Sequence, residues 1–329
     1  MSDQIALTPY RTLSGKFLSA YVTTMRPYLL FVSGITGIVG VSFAENIPVT
    51  AGVAVFLASF LSYGFGQALT DCFQIDTDAL SSPYRPLTQG VITRKQVFLT
   101  SCLGLAFCVA VFAWQAPINL LLGGLAGLGL ATYTPFKRRW WGGPWYNAWI
   151  VSVLCLMAYL AASGGAISSL PAGLPWMLGT VLLGYANFVL TGYFKDIAAD
   201  RATGYKTIPV VFGRRTAAIV SDLFAAGAIA SAALAVFTSS SIDRTPGSIL
   251  IAAAFLGGGA ITSLVAQIRL HTVTSDEAAH RAIAPVVHSY VLLLSGVSVL
   301  QKPVWGIPLL FFCAAYVAVL KRRPEKSQI

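Results

Sequence analysis

Long apolar runs alternate with short polar connections along almost the whole chain. Runs at about 27–44, 49–70, 96–114, 117–134, 146–168, 174–194, 216–238, 247–268, 282–300 and 304–320 are mostly about 17–25 residues long, the length a helix needs to cross a bilayer core. In lipid a backbone must satisfy its own hydrogen bonds, so runs of this length predict helices. The ninth run is the weakest, because Pro285 and His288 interrupt it. Ahead of the first run, residues 1–26 are polar to amphipathic. Leu13–Met25 is predicted to lie along the interface, with Arg11, Lys16 and Arg26 toward headgroups. The pattern predicts an all-α, multi-span transmembrane bundle of about nine to ten helices. It has an interfacial segment (1–26), a membrane domain (27–320) and a basic tail (321–329). Closely spaced glycines at 34, 37 and 40 predict tight helix packing.

Composition agrees. The 329 residues are 56% hydrophobic and 10% charged, with a mean hydropathy of +0.72. A soluble domain carries about 25% charged residues. The net charge of +10 follows the connections. With a cytoplasmic N-terminus, the inside connections carry Arg85, Arg94 and Lys95, then Lys137, Arg138 and Arg139, then Lys195, Arg201, Lys206, Arg214 and Arg215, then Arg269 and Arg281. The tail adds Lys321, Arg322, Arg323 and Lys326, whereas the outside connections hold only Glu45, Asp243, Arg244 and Lys302. This asymmetry predicts a multi-pass protein with both termini in the cytoplasm. A basic stripe with interleaved aromatics is absent, so no nucleic-acid partner is expected. The five cysteines show no ligand spacing; four sit inside apolar runs as small hydrophobes, and Cys72 is not expected to form a disulfide. The opening residues lack the pattern of a cleaved signal peptide.

The acidic residues change the picture most. There are only 12, and five fall in two stretches: QALTDCFQIDTDALSSPYRPLTQG (67–90) and YFKDIAADRATGYKTIPVVFGRR (193–215). Both follow an apolar run and open on the same side. If the end of the second span stays helical, Gln67, Asp71, Gln74 and Asp78 form one polar stripe, with Asp76 off it toward a neighbouring loop. Asp196 and Asp200 are four apart and share a face if helical. Carboxylates so gathered repel one another unless a cation holds them, and Mg²⁺ takes one or two carboxylates together with waters and substrate phosphate. Two facing clusters suit a diphosphate bridged by Mg²⁺. Solvated loop charge explains Asp3, Asp243, Asp276 and Glu277 well. It explains Asp71, Asp78, Asp196 and Asp200 poorly, since ionisable groups against apolar spans are functional by default. Asp222 stands alone in the seventh span as a pairing residue. The three histidines lack metal spacing and read as bundle packing.

Basic residues on the same side suit phosphate: Arg85, Lys137, Arg138, Lys195, Arg201 and Lys206. For Lys137, Arg138 and Arg201, phosphate binding and plain membrane-surface charge are equal readings. Gln67 and Asn187 either line the cavity or join helices. The two stretches also echo one another. Each runs span, acidic helix end, loop, glycine (Gly90, Gly213), basic pair, span, as two facing half-sites would.

The ordered set of motifs resembles the UbiA superfamily of intramembrane prenyltransferases. The family's NDxxDxxxD and PxRP correspond to TDCFQIDTD (Thr70–Asp78) and PYRP (Pro83–Pro86). Its second motif corresponds to DIAADRATGYKTIPVVFG (Asp196–Gly213), and its tyrosine–lysine loop to YTPFKRR (Tyr133–Arg139). MRP (Met25–Pro27) and Asn147 also fall in family positions. The first motif departs at Thr70, for the usual asparagine, and at Gln74, for the middle aspartate. The resemblance implies a helical bundle around a central cavity opening to the cytoplasm, with catalysis at Asp71, Asp78, Asp196, Asp200 and Lys137. It implies Mg²⁺ held by Asp71, Asp78, Asp196 and Asp200, with Asp76 compensating for the missing acid. Arg85, Arg138, Tyr133, Asn187, Lys195, Arg201, Lys206, Gln67 and Gln74 would contact substrate. The expected activity is Mg²⁺-dependent transfer from a prenyl diphosphate to a hydrophobic acceptor, an aromatic or quinone-precursor ring. The alternatives are a membrane terpene cyclase of the same fold and a transporter of an anionic lipid or solute.

Overall fold

The computed structural model of the protein describes residues 8–45, 47–239 and 245–323. Asp3, Asp243, Arg244, Lys326 and most of the 321–329 tail lie outside them. The described residues are helical, with no strand among them. In chain order the helices are α1 (Gly15–Met25), α2 (Leu30–Ser42), α3 (Val49–Asp71), α4 (Ile75–Ser81), α5 (Arg94–Gln115), α6 (Ile118–Lys137) and α7 (Gly143–Ala162). They continue as α8 (Leu174–Gly192), α9 (Ile197–Ala202), α10 (Ile208–Thr238), α11 (Pro246–His271), α12 (His280–Gln301) and α13 (Gly306–Lys321).

Among the described residues, eight helices are long and apolar enough to cross a membrane, and α1 with the 27–42 stretch makes a ninth, bent by 45°. The fourth apolar run is helical as α6, but its glycines, Asn119 and Pro135 dilute it below the others. In the 1–26 stretch, α1 packs on α3 and buries Phe17 and Tyr21, whose hydroxyl meets Ser101 at 2.8 Å. Pro27 has no N–H to continue α1, so Arg26 ends it at φ 54° and the chain turns.

Neighbouring helices pack in sequence: α2 on α3, α3 on α5, α6 on α7, α7 on α8, α8 on α10, α11 on α12. The ring closes where α12 meets α2. The supposedly weakest span is the most buried: 78% of the apolar window of α12 is inside, against 22% for α5 and α13. Pro285 lies in its second turn and has no N–H for the Arg281 carbonyl, which accepts from Arg269 Nη1 at 3.1 Å instead, and His288 Nδ1 bonds the Ala284 carbonyl at 2.7 Å. Close approach holds the other walls. A Cβ on Gly37 would meet Ser59 Oγ at 2.1 Å, and one on Gly40 would meet the Cys155 carbonyl oxygen at 2.3 Å. In lipid such contacts, rather than hydrophobic exclusion, drive helix association.

The predicted echo is structural. Both α3 and α8 end in a turn and then a short helix, α4 or α9, and α4 packs on α9 with Thr77 and Thr203 hydroxyls 2.8 Å apart. Each unit then passes a left-handed glycine, Gly90 at φ 75° or Gly213 at φ 80°. The two acidic motifs thus meet at one end of the bundle.

Candidate active site

The polar stripe is broken. α3 stops at Asp71, Cys72–Gln74 turn, and α4 begins at Ile75, yet Gln67, Asp71, Gln74 and Asp78 all line one cavity of about 120 Å³. Asp196 and Lys195 line it from the second motif. Asp196 precedes α9 rather than sharing a continuous helix with Asp200.

Asp71 is buried at the end of α3. Arg26 Nη2 reaches both its oxygens at 3.0 Å, and Gln67 Nε2 donates to Oδ1 at 2.8 Å. Arg26 therefore points inward, not toward headgroups; the bend at Pro27 aims it there. Arg85 pairs with Asp78 and lies 3.9 Å from Asp71. Burial disfavours the Arg85 charge, but Asp78 and Asp71 outweigh it and hold the guanidinium above its ordinary pKa.

Lys137, the last residue of α6, joins the two motifs. Its buried Nζ donates to Gln74 Oε1 at 2.8 Å, lies 3.8 Å from Asp200 Oδ1, and sits over the Tyr193 and Tyr205 rings. Gln74, where the family has an acid, thus serves as the acceptor for this lysine. Asp200 is fully buried. Thr207 donates to its Oδ2 at 3.2 Å, while Oδ1 has no hydrogen-bond partner. Burial is the main cause that raises its pKa to about 6, against the pull of Lys137. Tyr133 lines the cavity and shares a 2.8 Å hydrogen bond with Tyr193.

Other expected residues lie elsewhere. Asp76 and Arg138 form a half-exposed pair at 2.8 Å, and the Tyr205 hydroxyl donates to Asp76 at 3.2 Å; this ties α4 to the loops after α6 and α9, away from the cavity wall. Arg201 and Lys206 are exposed and outside it. Asn187 joins helices instead: Ser221 of α10 donates to it and contacts Gln267 of α11. Asp222, alone in sequence, pairs with His271 at 2.8 Å. One residue outside every motif supports the site. Asp276 accepts from the Ala198 N–H at 2.8 Å and pairs with Arg214, anchoring α9 between the two motif aspartates. Solvated loop charge is therefore the wrong account of Asp276, whose role is a contact 78 residues away.

A second chamber of about 100 Å³ joins the first. Tyr63, Gln67, Thr70, Asn147 and Tyr185 line both, and beyond them the wall is apolar: Leu105 and Phe112 of α5, Leu130 of α6, Leu154 and Met157 of α7. A charged head group and an apolar tail thus have adjoining compartments. No three metal-ligating side chains among the described residues converge on one point. This suits a hard cation that takes one or two carboxylates and completes its shell from water and phosphate, and the unpartnered Asp200 Oδ1 is an oxygen it would satisfy.

The family model of the UbiA prenyltransferase family matches residues 30–286. The chain belongs to the UbiA prenyltransferase family. Among curated members, the digeranylgeranylglyceryl phosphate synthase of Thermococcus kodakarensis is 30% identical over 214 residues, 63% of this chain and 73% of that one. The Pyrococcus abyssi synthase of the same name is 26% identical over 230 residues, 63% and 74% of the two chains. Two solved family structures share the fold. A UbiA homologue from Aeropyrum pernix in its apo form superposes with a TM-score of 0.65 at 21% identity, covering 88% of this chain and 97% of its own. One from Archaeoglobus fulgidus bound to GPP and Mg²⁺ gives 0.62 at 18%, covering 92% and 99%.

Proposed function

We propose that this prenyltransferase moves the prenyl group of a prenyl diphosphate onto a hydrophobic acceptor inside the membrane, assisted by Mg²⁺. The observation that carries the reading is the pair of joined chambers: a carboxylate- and cation-lined one for the diphosphate, and an apolar one for the tail. Family membership and a fold relative bound to GPP and Mg²⁺ support it.

Asp71, Asp78, Asp196 and Asp200 would hold Mg²⁺, which when bound spreads the diphosphate charge and lowers the cost of breaking the C1–O bond. Arg26, Arg85, Lys137 and Lys195 bind and orient diphosphate oxygens as fixed donors, and need no reorganisation as charge develops on the leaving group. Tyr63 and Tyr185 stand at the junction of the chambers and Tyr133 lines the charged one, where a ring face stabilises cationic character at C1. The apolar wall keeps water from that carbon. The basic excess supports a mouth on the cytoplasmic face.

Two acceptor classes are favoured: an aromatic or quinone-precursor ring, and a glyceryl phosphate lipid, for which the curated relatives are named. The test is purified protein in bilayer nanodiscs with geranylgeranyl, farnesyl or geranyl diphosphate, Mg²⁺ and acceptors of both classes, followed by pyrophosphate assay and product mass. The expected result is Mg²⁺-dependent pyrophosphate release with a prenylated acceptor. A cyclic hydrocarbon formed without acceptor would replace transfer with cyclisation. No pyrophosphate with any diphosphate would overturn the enzymatic reading.

A further inference from the structure

Asp71, Asp78 and Asp196 line one cavity, and Asp200 is buried beside Lys137. Like charges so gathered repel, so the fold must fix the separation of α4 from α9. The ties between the two motifs differ in kind. Lys137 reaches Gln74 at 2.8 Å and lies 3.8 Å from Asp200, but its charge also serves the diphosphate in the reading above. Asp76 pairs with Arg138 at 2.8 Å, but both are half-exposed and open to screening by salt. Thr77 of α4 meets Thr203, at the end of α9, with their hydroxyls 2.8 Å apart, and this tie carries no charge.

Its geometry suits a strut. Thr77 is 1% exposed and directly precedes Asp78. Successive residues on a helix point about 100° apart, so Asp78 lines the cavity while Thr77 faces α9. Each hydroxyl has one proton. Thr203 gives its proton to the Ala199 carbonyl at 2.8 Å, so Thr77 is the donor across the gap. Thr203 also caps α9, with its N–H on the same carbonyl at 3.0 Å. The hydrogen bonds thus run from the residue before Asp78 to the peptide that joins Ala199 to Asp200. Neither threonine lines the cavity itself.

We propose, resting on the Mg²⁺ reading given above, that the Thr77–Thr203 pair positions the two acidic motifs. It sets the spacing of Asp78 and Asp200, and with it the affinity for Mg²⁺. A neutral, buried pair suits that task. It holds one spacing while cation and diphosphate enter and leave, whereas an ion pair would be drawn into each change of charge.

The experiment is calorimetric titration of Mg²⁺ into the full chain in nanodiscs, with geranyl thiolodiphosphate as a bound analogue that does not ionise. It compares wild type with Thr77→Val, Thr77→Ala, Thr77→Ser, Thr203→Val and Thr77→Val/Thr203→Val. Valine keeps the shape of threonine and leaves no donor unpaired at position 77, so the fold should survive, and thermal unfolding checks it. Thr77→Val and Thr77→Ala should each raise the Mg²⁺ dissociation constant about tenfold, the effect of a small misplacement. Thr77→Ser, which keeps the hydroxyl, should stay near wild type. Pyrophosphate release by Thr77→Val should return to the wild-type rate at saturating Mg²⁺, since no reacting group is lost. Residues that act through one bond lose no more together than singly, so the double variant should match Thr203→Val. Lower stability with unchanged Mg²⁺ affinity would make the pair a packing contact, and additive losses would show that the two act separately; either result overturns the strut. Wild type that takes up no Mg²⁺ with the analogue would instead overturn the metal reading beneath it.

Discussion

Asp276 shows how a residue outside every motif can set the geometry of one. Its carboxylate accepts the Ala198 N–H at the start of α9, one of the donors a helix leaves unpaired, and pairs with Arg214. Without it α9 can shift, and Asp196 and Asp200 shift with it. We expect Asp276→Ala to cost about 1–2 kcal/mol of stability, as loss of a helix cap does. The Mg²⁺ concentration for half-maximal pyrophosphate release should rise about tenfold, since a small misplacement weakens a positioned site. A loss of stability with an unchanged Mg²⁺ requirement would reduce Asp276 to scaffold. The second prediction concerns protons. Burial raises the Asp200 pKa to about 6, above the ordinary carboxylate value, so the folded protein holds this proton more tightly than the unfolded chain. The group's contribution to stability is therefore greatest at low pH and is lost as pH rises toward 6. A cation must displace the same proton, so Mg²⁺ half-saturation should be about tenfold higher at pH 5 than at pH 7 and flat above. A flat profile from pH 5 to 7 would show that Asp200 does not bind the ion. Acids against apolar spans were legible in sequence because lipid tolerates few of them. The inward turn of Arg26 was not, nor which of its two readings Asn187 would take, because hydropathy does not give the rotation of a helix about its axis.

The elements carry the duplication. Gly90 and Gly213 occupy left-handed backbone at matching points after α4 and α9, and a Cβ on either would meet open space. The sequence echo of glycine and basic pair thus marks a turn before α5 in one half and a kink within α10 in the other. The expected stripe through Asp78 failed for a local reason: Cys72–Gln74 break the helix, and the turn brings Gln74 to Lys137. A buried lysine next to Asp200 gains a neutral acceptor there instead of a second acid. Glycine spacing was equally readable, and it yields a prediction for α2. A Cβ at Gly40 would lie 2.3 Å from the Cys155 carbonyl oxygen and 3.0 Å from the Ala158 Cβ of α7. The nearest of these is backbone and cannot rotate away. Gly40→Ala should destabilise the protein by about 1–3 kcal/mol, the cost of overpacking. Thermal unfolding in a fixed detergent measures it, and Gly124→Ala, with nothing within 4 Å, is the control expected to be neutral or better.

At the scale of the molecule, the ring of helices matters because it encloses two unlike compartments with a shared wall. The spans themselves were legible from apolar runs, but not their number: ten runs correspond to eight spans among the described residues, or nine with the bent pair. The closure of α12 on α2, and the division of the interior, depend on side-chain volumes that no periodicity records. That division makes a test possible in which tail and head group are changed separately. Gly127 of α6 lines the apolar chamber, and a Cβ there would meet nothing within 4 Å, so a larger side chain fills the chamber rather than the helix interface. It stands apart from the charged cavity. Gly127→Leu should therefore leave geranyl diphosphate turnover and the Mg²⁺ requirement unchanged while raising KM for geranylgeranyl diphosphate about tenfold. Burying one leucine costs nothing to the fold, but it displaces about four methylene-sized groups of tail, at roughly 0.8 kcal/mol each before the tail rearranges. Competition between the two diphosphates in one vessel measures the ratio directly. An equal loss for both chain lengths would mean that the tail does not occupy this chamber, and that the joined compartments do not divide the substrate as its two halves require.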